Sequence, residues 1–318
     1  MFNVFTYEFK LLMKKIILTL AALLTAATSA SVLAWPKSFV NADGSTTTIP
    51  AKPVRVLSTS VTVTGTLLAI DAPLIATATD TTGGFFGQWQ SVADQRSVKK
   101  LWPAGSVNLE SAYLEQPDLI VVSKSGADSA RNQVKEFQSI APTIIVDYST
   151  QSWQELAKQL GQALGNELHV EKTVADFDQL VADAKDQLDL PDGRVNIISY
   201  HGPGVTNAVA KSEGAHALLL SDLGFEIESS DDSWHTGPIF HSDFVLVNYE
   251  KLTELSAETS FLIEASDERA QSLMSDVVLK NLPSVKNKQV YGLGENTFRV
   301  DLYSSREIVK NMLARFGR

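Results

Sequence analysis

The chain has 318 residues, 44% of them hydrophobic, and a formal net charge of −10. That length allows two domains with sizeable cores, and the acidic balance argues against nucleic-acid binding, which needs a basic surface. Cysteine is absent, so there is no disulfide framework and no thiol to carry the lipid of a bacterial lipoprotein.

In chain order the first element is a leader. Lys14 and Lys15 precede the apolar run "IILTLAALLTAATSA", which grades into small residues. This pattern predicts a secretory signal peptide over residues 1–34, cleaved after Ala30 or Ala34; the run is short for a membrane anchor. "MKKIILTL" already has the form of a leader start, so Met13 is the expected initiator. Lys10, Lys14, Lys15 and Glu8 leave with the leader, taking the net charge from −10 to −12. An exported protein with neither anchor nor disulfides is expected in the periplasm of a Gram-negative cell.

A strand is predicted at "RVLSTS" (55–60), followed by a helix around 62–70. Six hydroxyls crowd the junction: Ser58, Thr59, Ser60, Thr62, Thr64 and Thr66. One reading is helix capping by Ser60 or Thr62. The other is a set of neutral donors at the carboxyl end of a strand, where open α/β sheets place ligands and free helix N–H groups favour anions. "LIATAT" (74–79) is a second strand. "TTGGFFGQW" (81–89) reads as a Gly-rich flap, and "KKLWPAGS" (99–106) as a loop carrying Lys99, Lys100 and Trp102. "DLIVVS" (118–123) and "TIIVDY" (143–148) are strands, followed by helices near 128–141 and 152–164. This βα alternation predicts a mostly parallel sheet covered by helices.

Between residues 167 and 189, Val170, Val174, Phe177, Val181, Ala184 and Leu188 recur in steps of four and three, one face of a helix. Gly165-Asn166 and Pro191-Asp192-Gly193 bound it, giving a rod of roughly 35 Å. The alternatives are an ordinary surface helix and a rigid connector. Its central place favours a connector at 167–190, with an N-terminal lobe at 35–166 and a C-terminal lobe at 191–318. In the second half, "RVNIISY" (194–200), "DFVLVNY" (243–249), "SFLIEA" (260–265) and "QVYGLG" (289–294) are predicted strands. Helices fit near 214–223, 267–280 and 302–316. The fold class is α/β: two Rossmann-like lobes joined by one long helix, with a cleft between them.

The segments "STSVTVTGTLLAIDAPLIATA" (58–78), "LEQPDLIVVS" (114–123), "SIAPTIIVDY" (139–148), "SWQELAKQLGQALG" (152–165) and "LPSVKNKQVYGLGENTFRVDLYSS" (282–305) resemble the helix-linked periplasmic binding proteins that carry ferric siderophores and cobalamin to ABC importers. The first segment and "FRVDLYSS" are similar to the ferric-enterobactin, catecholate branch. The resemblance implies a ferric siderophore held between the lobes, no cofactor, delivery to an inner-membrane ABC permease, no nucleic-acid partner and a monomeric protein.

On this footing Arg299 is the foremost ligand candidate, because guanidinium suits an anionic, ring-rich chelate; a salt bridge to Asp301 or Glu295 is its structural alternative. Ser58, Thr59, Ser60, Thr62, Lys99, Lys100, Trp102 and Tyr303 join it as expected ligand-binding residues, with Phe298 at the cleft wall; a solvated lysine pair with Trp102 tucked into the lobe, and core places for Tyr303 and Phe298, are the alternatives. His201, His235 and His241 are expected near the ligand, where an imidazole is able to complete an open iron coordination. The resemblance also implies that His241 stands near a basic position of the branch, so that binding there strengthens as pH falls below ~6.5; satisfied loop histidines are the alternative. No protein-held metal is expected. The resemblance also implies permease docking through one glutamate on each lobe, Glu110 and Glu213; carboxylates at helix N-termini are the alternative for both. Competing functions are delivery of haem, cobalamin or a hydroxamate siderophore on the same fold, and a periplasmic siderophore-processing hydrolase. The sequence has no G-x-S-x-G, H-E-x-x-H or P-loop motif for an enzyme and no tight His/Asp/Glu spacing for direct zinc or manganese carriage.

Overall fold

The computed structural model describes residues 35–237 and 243–318. The expected leader at 1–34 and His241 lie outside the described residues.

An antiparallel hairpin opens the described chain, β1 (Lys37–Val40) with β2 (Thr46–Ile49). The first lobe then alternates β3 (Val56–Ser58), α1 (Val61–Ala69), β4 (Leu74–Thr79), α2 (Gly87–Gln95), β5 (Lys99–Pro103), α3 (Leu109–Leu114), β6 (Leu119–Ser123), α4 (Val134–Gln138), β7 (Thr143–Val146) and α5 (Trp153–Leu164). Its five strands are all parallel, in the order β5-β4-β3-β6-β7. Strands β3, β6 and β7 are buried along their whole length, as a sheet covered on both faces requires.

α6 (Glu167–Gln187) follows, after Gly165 turns the chain with φ 63°. Its buried residues are Val170, Val174, Phe177, Val181 and Ala184, the face given by the sequence periodicity. The helix stops three residues short of the expected 190, because Leu188 is extended and bridges Gly317 beside the C-terminus.

The second lobe holds β8 (Arg194–Ser199), β9 (Asn207–Ala210), α7 (Ala215–Asp222), β10 (Glu226–Ile227), β11 (Phe244–Val247), β12 (Thr259–Leu262), α8 (Asp267–Met274), α9 (Pro283–Lys286), β13 (Val290–Gly292) and α10 (Leu302–Phe316). Its sheet runs β11-β9-β8-β12-β13 with β10 beside β8. β9 is antiparallel to both of its neighbours, so this sheet is mixed.

Several elements depart from the sequence expectation. "KKLWP" is an edge strand rather than a loop, paired with β4. The helix expected near 128–141 shrinks to a 3₁₀ turn at Arg131–Gln133 and α4, because the preceding residues carry Asp128 to the start of α1. The helix expected at 267–280 ends at Met274, where Asp276 instead accepts the hydroxyls of Tyr200 and Tyr249.

One hydrophobic cluster runs through both lobes, from Leu67 and Leu160 through Val174 and Phe177 to Phe261 and Ile308. Separate clusters cover the outer face of each sheet. The helix layer between the sheets is therefore continuous, with α10 packed on α1, α2 and α6. Gly65 of α1 makes this approach possible: a Cβ there would overlap the Asp301 carboxylate.

Candidate functional site

A cavity of about 450 Å³ opens between the lobes. Its first wall comes from the start of α1 (Val61, Thr62), the β4–α2 loop (Asp80 to Gln88) and Asp128 after β6. Its second wall is Glu264 after β12 and Glu295, Asn296, Phe298 and Arg299 after β13. Every contribution follows the carboxyl end of a parallel strand, the place where open α/β sheets bind ligands. A larger depression of about 920 Å³ lies along β1 and α5, but Lys37 and Lys124 in it are bonded to Glu167 and Asp147, and every residue lining it belongs to the first lobe.

Aromatic rings face each other across the cavity. Phe86 from the first lobe meets Phe298 from the second edge-on, with centroids 6.2 Å apart. Phe85 and Phe86 both rest on the buried ring of Trp89. The Arg299 guanidinium lies 4.6 Å from the Phe298 ring and 5.3 Å from that of Tyr148 in the opposite lobe. Its Nη1 donates to Asp243 Oδ2 at 3.4 Å, so its ion-pair partner is neither Asp301 nor Glu295. Behind it, a recess of about 30 Å³ continues between Tyr148 and Thr62 on one side and His216 and Asp243 on the other.

The hydroxyl cluster is mostly internal. Ser58, Thr59, Ser60, Thr64 and Thr66 are buried. Ser60 caps α1 by accepting from the Val63 N–H, and its own hydroxyl donates to Asp128 Oδ2 at 2.6 Å. The same carboxylate accepts the Thr62 N–H at 2.9 Å. The anion-favouring end of α1 is thus already filled by a side chain of the protein. Ser58 and Thr64 donate to the Ser60 carbonyl and Thr59 to that of Val121. Of the six, Thr62 lines the cavity.

The other candidates scatter. Lys99 pairs with Glu115 on the exposed edge of β5. Lys100 places its ammonium 4.7 Å over the Phe85 ring, beside the cavity. Trp102 is buried and stacked on Phe137 in the outer core, since its strand position faces inward. Tyr303 is half-buried in the first turn of α10, outside the cavity lining, and burial raises its phenol above the ordinary value. His201 is exposed; its Nε2 lies 3.0 Å from Ser199 Oγ. His235 accepts the Leu246 N–H through Nδ1. Neither histidine lines the cavity, and no cluster of three potential metal ligands exists among the described residues. Glu110 is exposed in the first turn of α3, and Glu213 is exposed just before α7. The proposed flap is held by Asp80, which accepts from the N–H groups of Thr82 and Gly84.

Sequence reasoning missed Asp128, Asp243 and Glu264 as residues of this region, while Phe86 lies in the flap expected at 81–89. Asp128, in "SGADSA" after β6, carried a usable signal: an acid beyond the carboxyl end of a central strand. Burial opposes ionisation of Asp80, yet the hydrogen bonds from Gly84 and Thr82 outweigh it and hold the carboxyl below its ordinary value. Burial drives the His216 imidazole down to about 4, and the Asp301 carboxyl up to about 6.

The chain belongs to the periplasmic binding protein family, whose model matches residues 56–297. It is 34% identical over 315 residues to the ferric enterobactin-binding periplasmic protein FepB of Escherichia coli O6:H1, covering 96% of this chain and 98% of that one. The crystal structure of holo-ViuP superposes with a TM-score of 0.88 at 60% identity, over 90% of this chain and 96% of that one. The catecholate-siderophore binding protein VctP of Vibrio cholerae shares the fold, with a TM-score of 0.63 at 17% identity over 88% of this chain and all of that one. Among the described residues no helix is long and apolar enough to cross a membrane.

Proposed function

We propose that this chain captures a ferric catecholate siderophore between its lobes and delivers it, unaltered, to an ABC permease of the inner membrane. The observation that carries this reading is the inter-lobe cavity at the strand ends, walled by Phe85, Phe86 and Phe298 with Arg299 beside them. Catecholate rings are flat and electron-rich. They pack edge-on or offset against phenyl side chains and under a guanidinium. Family membership and the likeness to FepB support the same assignment. The protein works as a monomer in the periplasm after removal of residues 1–34. Glu110 on one lobe and Glu213 on the other, both exposed, are its contacts with the permease.

Trp89 lies directly beneath Phe85 and Phe86, so its fluorescence reports occupancy. Titration with ferric catecholates, ferric hydroxamates and haem should give saturable quenching by the catecholates at the lowest concentration. Phe298→Ala should weaken that binding by about tenfold. Quenching by haem or a hydroxamate alone, or hydrolysis of the siderophore by the purified protein, would overturn the assignment.

A further inference from the structure

The charge of the cavity does not match a highly anionic ligand. Its lining holds four carboxylates, Asp80, Asp128, Glu264 and Glu295, against one guanidinium, that of Arg299. The four are not equivalent. Asp80 is engaged by the N–H groups of its own loop, and Asp128 by Ser60 and the start of α1. Glu264 and Glu295 are exposed on the second wall and form no ion pair or side-chain hydrogen bond among the described residues. Arg299 is already committed to Asp243. Lys100 places its ammonium over the Phe85 ring but does not line the cavity.

The backbone fixes Glu264 in place. It has φ 51°, a left-handed conformation uncommon for a residue with a side chain. Its N–H donates to Thr297 Oγ1 at 3.0 Å, and the next residue, Ala265, exchanges two 3.0 Å hydrogen bonds with Gly294. The two segments bearing Glu264 and Glu295 are thereby clamped together, and both carboxylates belong to one rigid wall.

We infer that Glu264 and Glu295 are specificity determinants that set the cavity against trianionic ferric tris-catecholates and in favour of ferric aryl chelates of smaller net negative charge, such as those whose scaffold carries an ammonium group. This rests on the siderophore reading above. Three doubly ionised catechols around ferric iron leave a trianion, which two unpaired carboxylates repel through partly solvated space. The rings remain able to pack on Phe86 and Phe298, so the discrimination acts on charge and not on shape.

The test uses two ferric complexes with the same aryl groups: trianionic ferric enterobactin, and the complex of bis(dihydroxybenzoyl)spermidine, whose protonated amine makes it neutral. Trp89 quenching at low salt should give tighter binding of the neutral complex to the wild-type chain. Glu264→Gln with Glu295→Gln should tighten ferric enterobactin by ~10-fold, an effect that shrinks as salt is added, and change the neutral complex by less than ~2-fold. Wild-type preference for ferric enterobactin, or an affinity ratio unmoved in the double variant, overturns this inference and leaves the siderophore reading intact. Binding of neither complex to the wild-type chain overturns both.

Discussion

At the scale of single residues, the lobe interface contains two buried groups that titrate in opposite directions. Asp301 caps α10 by accepting the Tyr303 and Ser304 N–H groups, and burial raises its carboxyl from 3.8 to about 6. The folded state therefore holds its proton more tightly than the unfolded chain. Its contribution to stability is complete below about 3.8 and is lost as pH rises through about 6. His216, whose Nε2 donates to the Thr297 carbonyl, is lowered by burial from 6.5 to about 4. Its contribution is complete above 6.5 and is lost as pH falls through about 4. Urea unfolding across pH 4–7 should separate the two. Asp301→Asn should gain stability relative to wild type as pH rises, and His216→Gln should gain it as pH falls. Profiles parallel to wild type would contradict both assignments. Little of this was legible in the sequence. Arg299 could be picked out beside a predicted strand end, but its partner Asp243 lies 56 residues away, and only the folded sheet brings them together. The hydroxyls of 58–66 were conspicuous, yet composition cannot distinguish donors aimed at a ligand from donors consumed by a neighbouring carboxylate such as Asp128.

At the scale of elements, α1 is a point where the lobes meet, packed against α10. Ser60 caps it, Asp128 neutralises its N-terminus, and Gly65 admits the Asp301 cap of α10. Gly65→Ala should cost about 1–3 kcal/mol through overpacking, read as a lowered midpoint of chemical unfolding. An unchanged midpoint would mean that α1 and α10 are not pressed together as described. Elements with a clear period or an unbroken apolar run were readable: the apolar stripe of α6 and the buried strands β6, β7 and β8 were placed within a few residues, β7 with only four residues. α2 and β9 were not. α2 begins at a glycine with no side-chain cap, and β9 is a four-residue strand between turns, so neither carries enough pattern to rise above its flanks. β5 was hidden by the lysines that an exposed edge strand tolerates.

At the scale of the whole molecule, one continuous core joins the helix layers of the two lobes through α6 and α10. Separating the lobes would expose residues such as Phe177 and Ile308, which are fully buried. The molecule is therefore built to receive its ligand in a nearly preformed cavity and not by a wide hinge closure. The two-lobe plan followed from the βα alternation and the rod between its halves. The charge of the cavity did not, because Glu264 and Glu295 lie 31 residues apart on different loops. The most direct measurement is an anomalous-scattering map at the iron edge from crystals grown with a ferric catecholate siderophore. The expected result is a single iron peak between Phe86 and Phe298, beside Arg299. An iron peak in the depression along β1 and α5, or on the outer surface of either lobe, would contradict the central claim.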